Sequence, residues 1–506
     1  MIEHPLLKPY AITHNGCTYH GNVTLADHHI VERDGAYTLF RVADLVAMPI
    51  SPALAQTLSR LIPGPGSMIP DTLMRVLREV GLVPPAPPDP TAEPASTAAP
   101  PAMSPAKAVE TPNHPAPARS HPVVNVALFL TQTCNLRCVY CYGQGGEYGH
   151  QGVMTWDTAR AAVDWLMENS LDAEQVHIGF FGGEPLLNFP LLQQVVAYAK
   201  ALAAARGKRV TFNLTTNATR LTDKIIAYLR AENIIPLISC DGPPTIQDRQ
   251  RPFKNGRGSY QRLYANVQKL RQVFPDLTAR ATLHEDADPV AIRRGLAAVG
   301  FTQHLLQRAS PVILADAGSN TAMTTEQHGP TMTDDRILAD QRAEVARLFT
   351  AVSRRTLTAH TAPLALILLS SLATGQKRHV ACGIGRGMAA VAVSGEIYPC
   401  HRFVGLKGTR LGHLHDYRAG ELNNYHRAVV DNLPVCRGCW ARYLCGGGCF
   451  YDHQGHTGDP HRPDVRYCRE IKTVCEDLLH SWGALPDPDR DFLRNQVKTL
   501  LPTQQP

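Results

Sequence analysis

The sequence predicts an α/β protein built on an open, partial barrel of about six strand–helix units, and three observations predict it. Apolar β-type runs alternate with amphipathic helical segments from residue 123 to about residue 310. A Pro/Ala-rich stretch sets this region apart from a small upstream module, and beyond Cys382 the chain turns to short Gly-rich segments punctuated by cysteine. Strand–helix alternation at this spacing calls for a parallel sheet with crossover helices. Ligands of such sheets bind outside the carboxyl ends of the strands.

Residues 1–83 read as a small α+β module, with strand-like runs at His29–Glu32 and Tyr37–Val42 and helix-like segments at Pro52–Leu61 and Pro70–Val80. Residues 84–122 collapse into Pro, Ala, Ser and Thr, cannot bury a core and form an extended tether. The barrel occupies 123–310. Its runs are Val123–Leu130, Thr155–Asn169, Val176–Phe181, Pro190–Arg206, Val210–Thr215, Leu221–Glu232, Ile235–Ser239, Tyr260–Phe274, Thr278–Leu283 and Pro289–Val299. In the first helix Ala159, Ala162, Val163, Leu166 and Met167 share one face, and Thr155 is placed to cap it. A connecting segment follows over 311–375, with 315–339 read as loop and helices expected near Asp340–Ser353 and Pro363–Ala373. Residues 376–480 form the cysteine-punctuated domain, and 481–506 read as a tail.

Composition narrows the function. With 506 residues, 44% hydrophobic and 19% charged, the chain has material for large cores, which excludes a disulfide-stapled miniprotein and global disorder. A net charge of +6 over that length gives no nucleic-acid footprint. No basic-then-apolar start and no 18-residue apolar run is present, so the expectation is a soluble, cytoplasmic protein with no membrane partner. Ten of the thirteen cysteines fall into three close-spaced sets, a pattern of metal or iron–sulfur ligation in a reducing compartment.

At the end of the first predicted strand stands Cys134-Asn135-Leu136-Arg137-Cys138-Val139-Tyr140-Cys141, three thiols spaced C-x3-C-x2-C. A cubane cluster takes four thiolates, so three leave one iron open to a small molecule. The spacing, with an aromatic residue before the last cysteine, resembles the radical S-adenosylmethionine (SAM) superfamily. Further segments of that resemblance follow at later strand ends: Gly182-Gly183-Glu184-Pro185, Thr215-Thr216-Asn217, Ser239-Cys240-Asp241-Gly242-Pro243, and Arg280. The resemblance implies that the GGEP loop and the Glu184 carboxylate hold the SAM amino group. It further implies that the Ser239–Asp241 segment lies by the ribose and that Arg280 faces the carboxylate. Tyr140 and Asn217 complete the cofactor-binding set. The implied chemistry is reductive cleavage of SAM to methionine and a 5′-deoxyadenosyl radical, which takes hydrogen from an unactivated C–H bond.

The C-terminal cysteines read Cys382, Gly395-x4-Cys400, Cys436-x2-Cys439-x5-Cys445-x3-Cys449 and Cys468, which resembles the SPASM extension of peptide-modifying members. The resemblance implies two auxiliary [4Fe-4S] clusters beside the first. Cys436, Cys439, Cys445 and Cys468 would hold a distal one, and Cys382, Cys400 and Cys449 a nearer one whose fourth ligand is a substrate thiolate or a non-cysteine side chain. Cys17, Cys240 and Cys475 remain, read as small buried hydrophobes. In sulfatase maturases an aspartate follows the residue matching Cys400 and an extra cysteine follows the one matching Cys382. Here His401 stands in the first place, as a base able to titrate near neutrality, and residues 383–392 contain no cysteine. The wording Tyr398-Pro399-Cys400-His401-Arg402-Phe403-Val404-Gly405 resembles maturases that install thioether cross-links in ribosomally made peptides, the SCIFF type and the quinohemoprotein amine dehydrogenase maturase among them. The glycines of Cys382–Gly387 read as turns around a cluster, not a phosphate loop.

The expected activity is therefore formation of a bond between a cysteine sulfur and a carbon of another residue, Asp or Glu included, in a Cys-containing precursor peptide or small subunit. A flavodoxin or ferredoxin would serve as reductant, and the upstream module would capture a leader as an added strand. Formylglycine formation, carbon–carbon cross-linking and a non-enzymatic iron–sulfur electron carrier are the competing readings.

Overall fold

The computed structural model describes residues 17–19, 25–61, 68–83, 122–284, 287–313, 334–358 and 361–501, in two compact units. The tether expected over 84–122 lies outside the described residues except for Pro122, and so do most of the loop expected over 315–339 and the side chain of Cys17.

The first unit contains β1 (Cys17–Tyr19), β2 (His28–Arg33), β3 (Ala36–Arg41), β4 (Val46–Ile50), α1 (Pro52–Arg60), β5 (Met68–Pro70) and α2 (Asp71–Glu79). β2, β3 and β4 form an antiparallel sheet in that order, and β1 pairs with β5. The α+β expectation holds, and the sheet gains β4, whose Pro49 masked its strand character. Ser51 caps α1 by accepting from Leu54 N–H at 3.3 Å. Leu39, Ile50, Leu54, Leu58, Met74 and Leu77 share one core.

The barrel comprises β6 (Asn125–Thr131), α3 (Trp156–Asn169), β7 (Gln175–Gly182), α4 (Phe189–Ala205), β8 (Arg209–Thr216), α5 (Asp223–Ala231), β9 (Pro236–Ser239), α6 (Pro244–Gln250), α7 (Tyr260–Arg271), β10 (Thr278–Leu283), α8 (Pro289–Val299) and β11 (Gln303–Arg308). Six parallel strands lie in the order β11-β10-β9-β8-β7-β6, so each sequential strand joins the edge left by the last. The expected face of α3 is buried, and Thr155 Oγ1 accepts from Thr158 N–H at 3.2 Å. β11 and the short α6 lie where no element was expected. β11 has no alternating burial, which is why pattern alone missed it.

Downstream come α9 (Asp334–Ser353), α10 (Pro363–Thr374), β12 (Met388–Val391), β13 (Glu396–Tyr398), β14 (Gly412–His413), β15 (Asp416–Tyr417), α11 (Asn423–His426), α12 (Pro434–Arg437), α13 (Arg442–Cys445), α14 (Phe450–Thr457), α15 (Val465–Ala484) and α16 (Asp487–Leu500). Three corrections arise here. α9 begins at Asp334, inside the stretch read as loop. Residues 487–500, read as tail, form a helix whose Leu493 and Val497 are buried and which packs on α10. The cysteine-punctuated region is not separate from the barrel: β12 pairs in parallel with β6, extending the sheet through β13, β14 and β15 to ten strands. Among the described residues no helix is long and apolar enough to cross a membrane.

Candidate functional site

The carboxyl ends of the barrel strands enclose a cavity of about 140 Å³. The three-cysteine loop leaving β6 forms one wall. It is strapped to the segment after α6 by backbone bonds from Arg137 N–H to Pro252 O at 2.8 Å and from Val139 N–H to Gln250 O at 2.9 Å. The loop leaving β7 forms the next wall and approaches so closely that a Cβ on Gly183 would lie 2.0 Å from Thr133 O. Gly182 has φ +124° and a Cβ there would lie 2.2 Å from Thr131 O, so the close approach requires glycine at both positions.

Cys134, Cys138, Cys141, Tyr140, Gly182, Gly183, Asn217, Ser239 and Arg280 all line this cavity. Asn217 donates to Asn135 Oδ1 at 3.0 Å and sits 3.8 Å from Cys134 Sγ, its own carbonyl oxygen fixed by Thr219. Arg280 donates to Gln307 and has no carboxylate partner among the described residues. Burial and the Arg402 guanidinium lower its pKa. Burial pushes the Cys134 thiol to about 11 and Cys138 to about 12.

Glu184, Pro185 and Asp241 face inward behind the wall. Glu184 is 1% exposed; its carboxylate accepts from Thr216 Oγ1 at 2.8 Å, Asn217 N–H at 2.8 Å and Leu186 N–H at 3.1 Å. These contacts brace β7 against β8 at the residue that the sequence resemblance assigns to the ligand amine. Pro185 opens the turn at Pro185–Asn188. Asp241 accepts from Tyr140 Oη at 2.5 Å, Arg251 Nε at 3.0 Å and Thr282 N–H at 2.9 Å.

Sequence reading missed Arg251 and Arg402, which line the same cavity. Arg251 pairs with Asp241 and lies 3.9 Å from Cys138 Sγ. Arg402 pairs with Asp452 at 2.9 Å and lies 3.8 Å from Cys449 Sγ. No motif marks either residue. Only the adjacency of Arg402 to Cys400 offered a signal.

His401, expected as a base, packs on Phe181. Its ring centre lies 4.6 Å from that of Phe181, and burial, with Arg402 and Arg280 close by, lowers it to about 3. A shift in that direction favours the neutral imidazole.

The C-terminal cysteines gather in two groups. Cys436, on α12, feels Cys445, Cys468 and Cys439 electrostatically. Cys400 feels Cys382, and Cys449 feels Cys400. Cys475 is fully buried on α15 and Cys240 at the end of β9. None of the twelve cysteines with described side chains is in a disulfide. Among the described residues no three ligating side chains converge on a point fit for one metal ion. Grouped, unpaired, half- to fully buried thiols suit a multi-iron cluster instead. After Cys382 the glycines make bends and lead into β12, a strand, so no phosphate loop is present.

Residues 128–288 match the profile of the radical SAM superfamily. The chain carries a radical SAM domain. Such a domain works with SAM and a [4Fe-4S] cluster, and the match spans the three-cysteine loop and every cavity-lining strand end through β10. An uncharacterised protein of Methanocaldococcus jannaschii is 37% identical over 135 residues, 27% of this chain and 44% of that protein, less than half its length. A serine-type anaerobic sulfatase-maturating enzyme of Bacteroides thetaiotaomicron is 22% identical over 396 residues, 72% of this chain and 89% of the enzyme. Among solved structures, native anSMEcpe with bound AdoMet and Cp18Cys peptide superposes with a TM-score of 0.57 at 17% identity, covering 70% of this chain and 97% of that one, a likeness of fold.

Proposed function

We propose that this radical SAM protein is a peptide maturase that joins a cysteine sulfur to a carbon of another residue in a ribosomally made peptide or small protein subunit. The observation that carries this reading is the reach of Arg402, which touches the Cys449 sulfur and lines the cavity of Cys134, Cys138 and Cys141. Arg402 thereby links a second group of thiols to the wall of that cavity. The relative that matures sulfatases and the solved neighbour with bound AdoMet and a peptide support a peptide substrate.

Cys134, Cys138 and Cys141 would hold the first cluster, leaving one position for the amino-acid end of SAM. Cys436, Cys439, Cys445 and Cys468 would hold a fully ligated distal cluster, and Cys382, Cys400 and Cys449 a near one. When bound, SAM and the reduced cluster supply a hydrogen-abstracting 5′-deoxyadenosyl radical. Arg280 would face the SAM carboxylate, the Ser239–Asp241 segment would lie by its ribose, Asn217 would complete the cofactor-binding set, and the glycine wall at Gly182 and Gly183 lets the backbone approach. The ring of Tyr148, stacked edge-on to Phe129 at 4.9 Å and to Tyr142 at 5.9 Å, helps to exclude water. In the first unit, an edge of the β2-β3-β4 sheet would take up an extended leader. Unpaired thiols suit the cytoplasm, with a flavodoxin or ferredoxin as electron donor.

Each link removes two hydrogens and two electrons: the carbon hydrogen leaves as an atom to the 5′-deoxyadenosyl radical, and the thiol gives up its proton and one electron, which the near auxiliary cluster, when bound, would accept. The test is anaerobic reconstitution with SAM, a reductant and a small Cys-rich protein encoded beside this one, read by intact mass before and after thiol alkylation. Loss of two hydrogens per link, with cysteines no longer alkylable, is the expected result. The same loss with every cysteine still reactive would point to carbon–carbon linkage. A hydrazide-reactive aldehyde would point to formylglycine.

A further inference from the structure

We infer that Arg402 is a positioning residue that sets the reduction potential of the near auxiliary cluster and ties that cluster to the barrel. The inference rests on the reading that Cys382, Cys400 and Cys449 hold a cluster. Arg402 bears on two of those sulfurs at once. Its backbone N–H donates to Cys400 Sγ at 3.4 Å, and its Nη1 lies 3.8 Å from Cys449 Sγ. The same nitrogen donates to Asp452 Oδ1 at 2.9 Å and to Ser310 Oγ at 2.6 Å. Its guanidinium carbon stands 5.8 Å from the centre of the Tyr142 ring, and the side chain is 12% exposed.

Each link has a consequence. A cation and N–H donors at cluster sulfurs favour the more negative, reduced state and so raise the potential. Low exposure leaves that field little screened. Asp452 lies one helical turn beyond Cys449 and works in the opposite sense, offsetting part of the positive charge. Ser310 follows β11, the strand that carries Gln307, the partner of Arg280. Arg402 is thus anchored to the barrel rim as well as to the near cysteines.

Arg251 repeats the arrangement at the first cysteine set, paired with Asp241 at 3.0 Å and 3.9 Å from Cys138 Sγ. The first cysteine set and the near one therefore each have an arginine–aspartate pair against one sulfur. At the distal group Cys445 Sγ meets the Tyr467 hydroxyl at 3.9 Å.

The test is a redox titration by electron paramagnetic resonance on the full chain, reconstituted anaerobically, with the near signal assigned by its loss in Cys382→Ala. Iron should count to about twelve in the parent protein. In Arg402→Gln the near potential should fall by about the 59 mV of a tenfold one-electron equilibrium. In Asp452→Asn it should rise, and Arg402→Lys should recover part of the loss. The distal potential should stay fixed throughout. An unmoved near potential in Arg402→Gln at full iron content, or shifts of the same sign in the glutamine and asparagine variants, would overturn the inference. If Arg402→Gln loses the near cluster, Asp452→Asn, which keeps every cysteine, decides by the sign of its shift. A parent protein with only about eight irons would overturn the near-cluster reading and the inference with it.

Discussion

Tyr140 donates its hydroxyl to Asp241 at 2.5 Å, joining the residue between the second and third cysteines of the first loop to the end of the fourth barrel strand. Asp241 also holds Arg251 and the backbone of Thr282, and Arg251 reaches back to Cys138. The cysteine loop is therefore held by a buried polar network whose members are each satisfied, which fixes its position before any ligand arrives.

Breaking that network at its centre should cost more than breaking it at its rim. Asp241→Asn leaves the Arg251 charge buried without its partner, an expected loss of about 3–5 kcal/mol. Tyr140→Phe removes one hydrogen bond to a charged group, about 1.5–3 kcal/mol. Anaerobic urea denaturation of the full chain gives the order, and equal losses in the two variants would contradict it.

Replacing Cys134, Cys138 and Cys141 together by Ala should abolish 5′-deoxyadenosine formation while leaving about eight of about twelve irons. Unchanged cleavage in this variant would remove the basis of the proposed function.

His401→Gln should keep 5′-deoxyadenosine and product formation within about tenfold of the parent, because general-base catalysis typically contributes about 10²–10⁴-fold and a ring lowered to about 3 is a weak base. A loss in the hundreds, measured by product mass, would restore the base role.

His304, on β11, donates to Phe301 O at 3.1 Å and has a pKa lowered chiefly by burial, with Arg293 and Arg347 adding repulsion. A histidine with a depressed folded pKa binds its proton more readily when unfolded. Its contribution is thus present above the unfolded value of about 6.5 and is lost as pH falls through the folded value. His304→Gln should flatten the acid side of the stability profile. Parallel profiles for the two proteins would refute this.

The barrel was legible because burial on a parallel sheet leaves near-continuous apolar runs, and the helix over Ala159–Met167 because its spacing admits one face. β12 was illegible for a physical reason: Met388–Val391 is four residues long, and its partner β6 is remote in the chain. The cysteines and the glycine pair announced themselves by spacing. Arg251 and Arg402 did not, since an arginine acquires its meaning from the aspartate and sulfur that folding brings beside it.

The parallel pairing of Asn125–Leu128 with Met388–Val391 bears on how the molecule is made. β6 is the first barrel strand to leave the ribosome, yet one of its two neighbours emerges only after the whole barrel and the helices beyond it. Until then its hydrogen-bonding edge is open, and an open apolar edge is a template for pairing with other chains. Closing so distant a pair is slow. The nascent barrel thus waits on the cysteine-bearing segment, so a chain cut before residue 388 should be a poor folder and prone to aggregate.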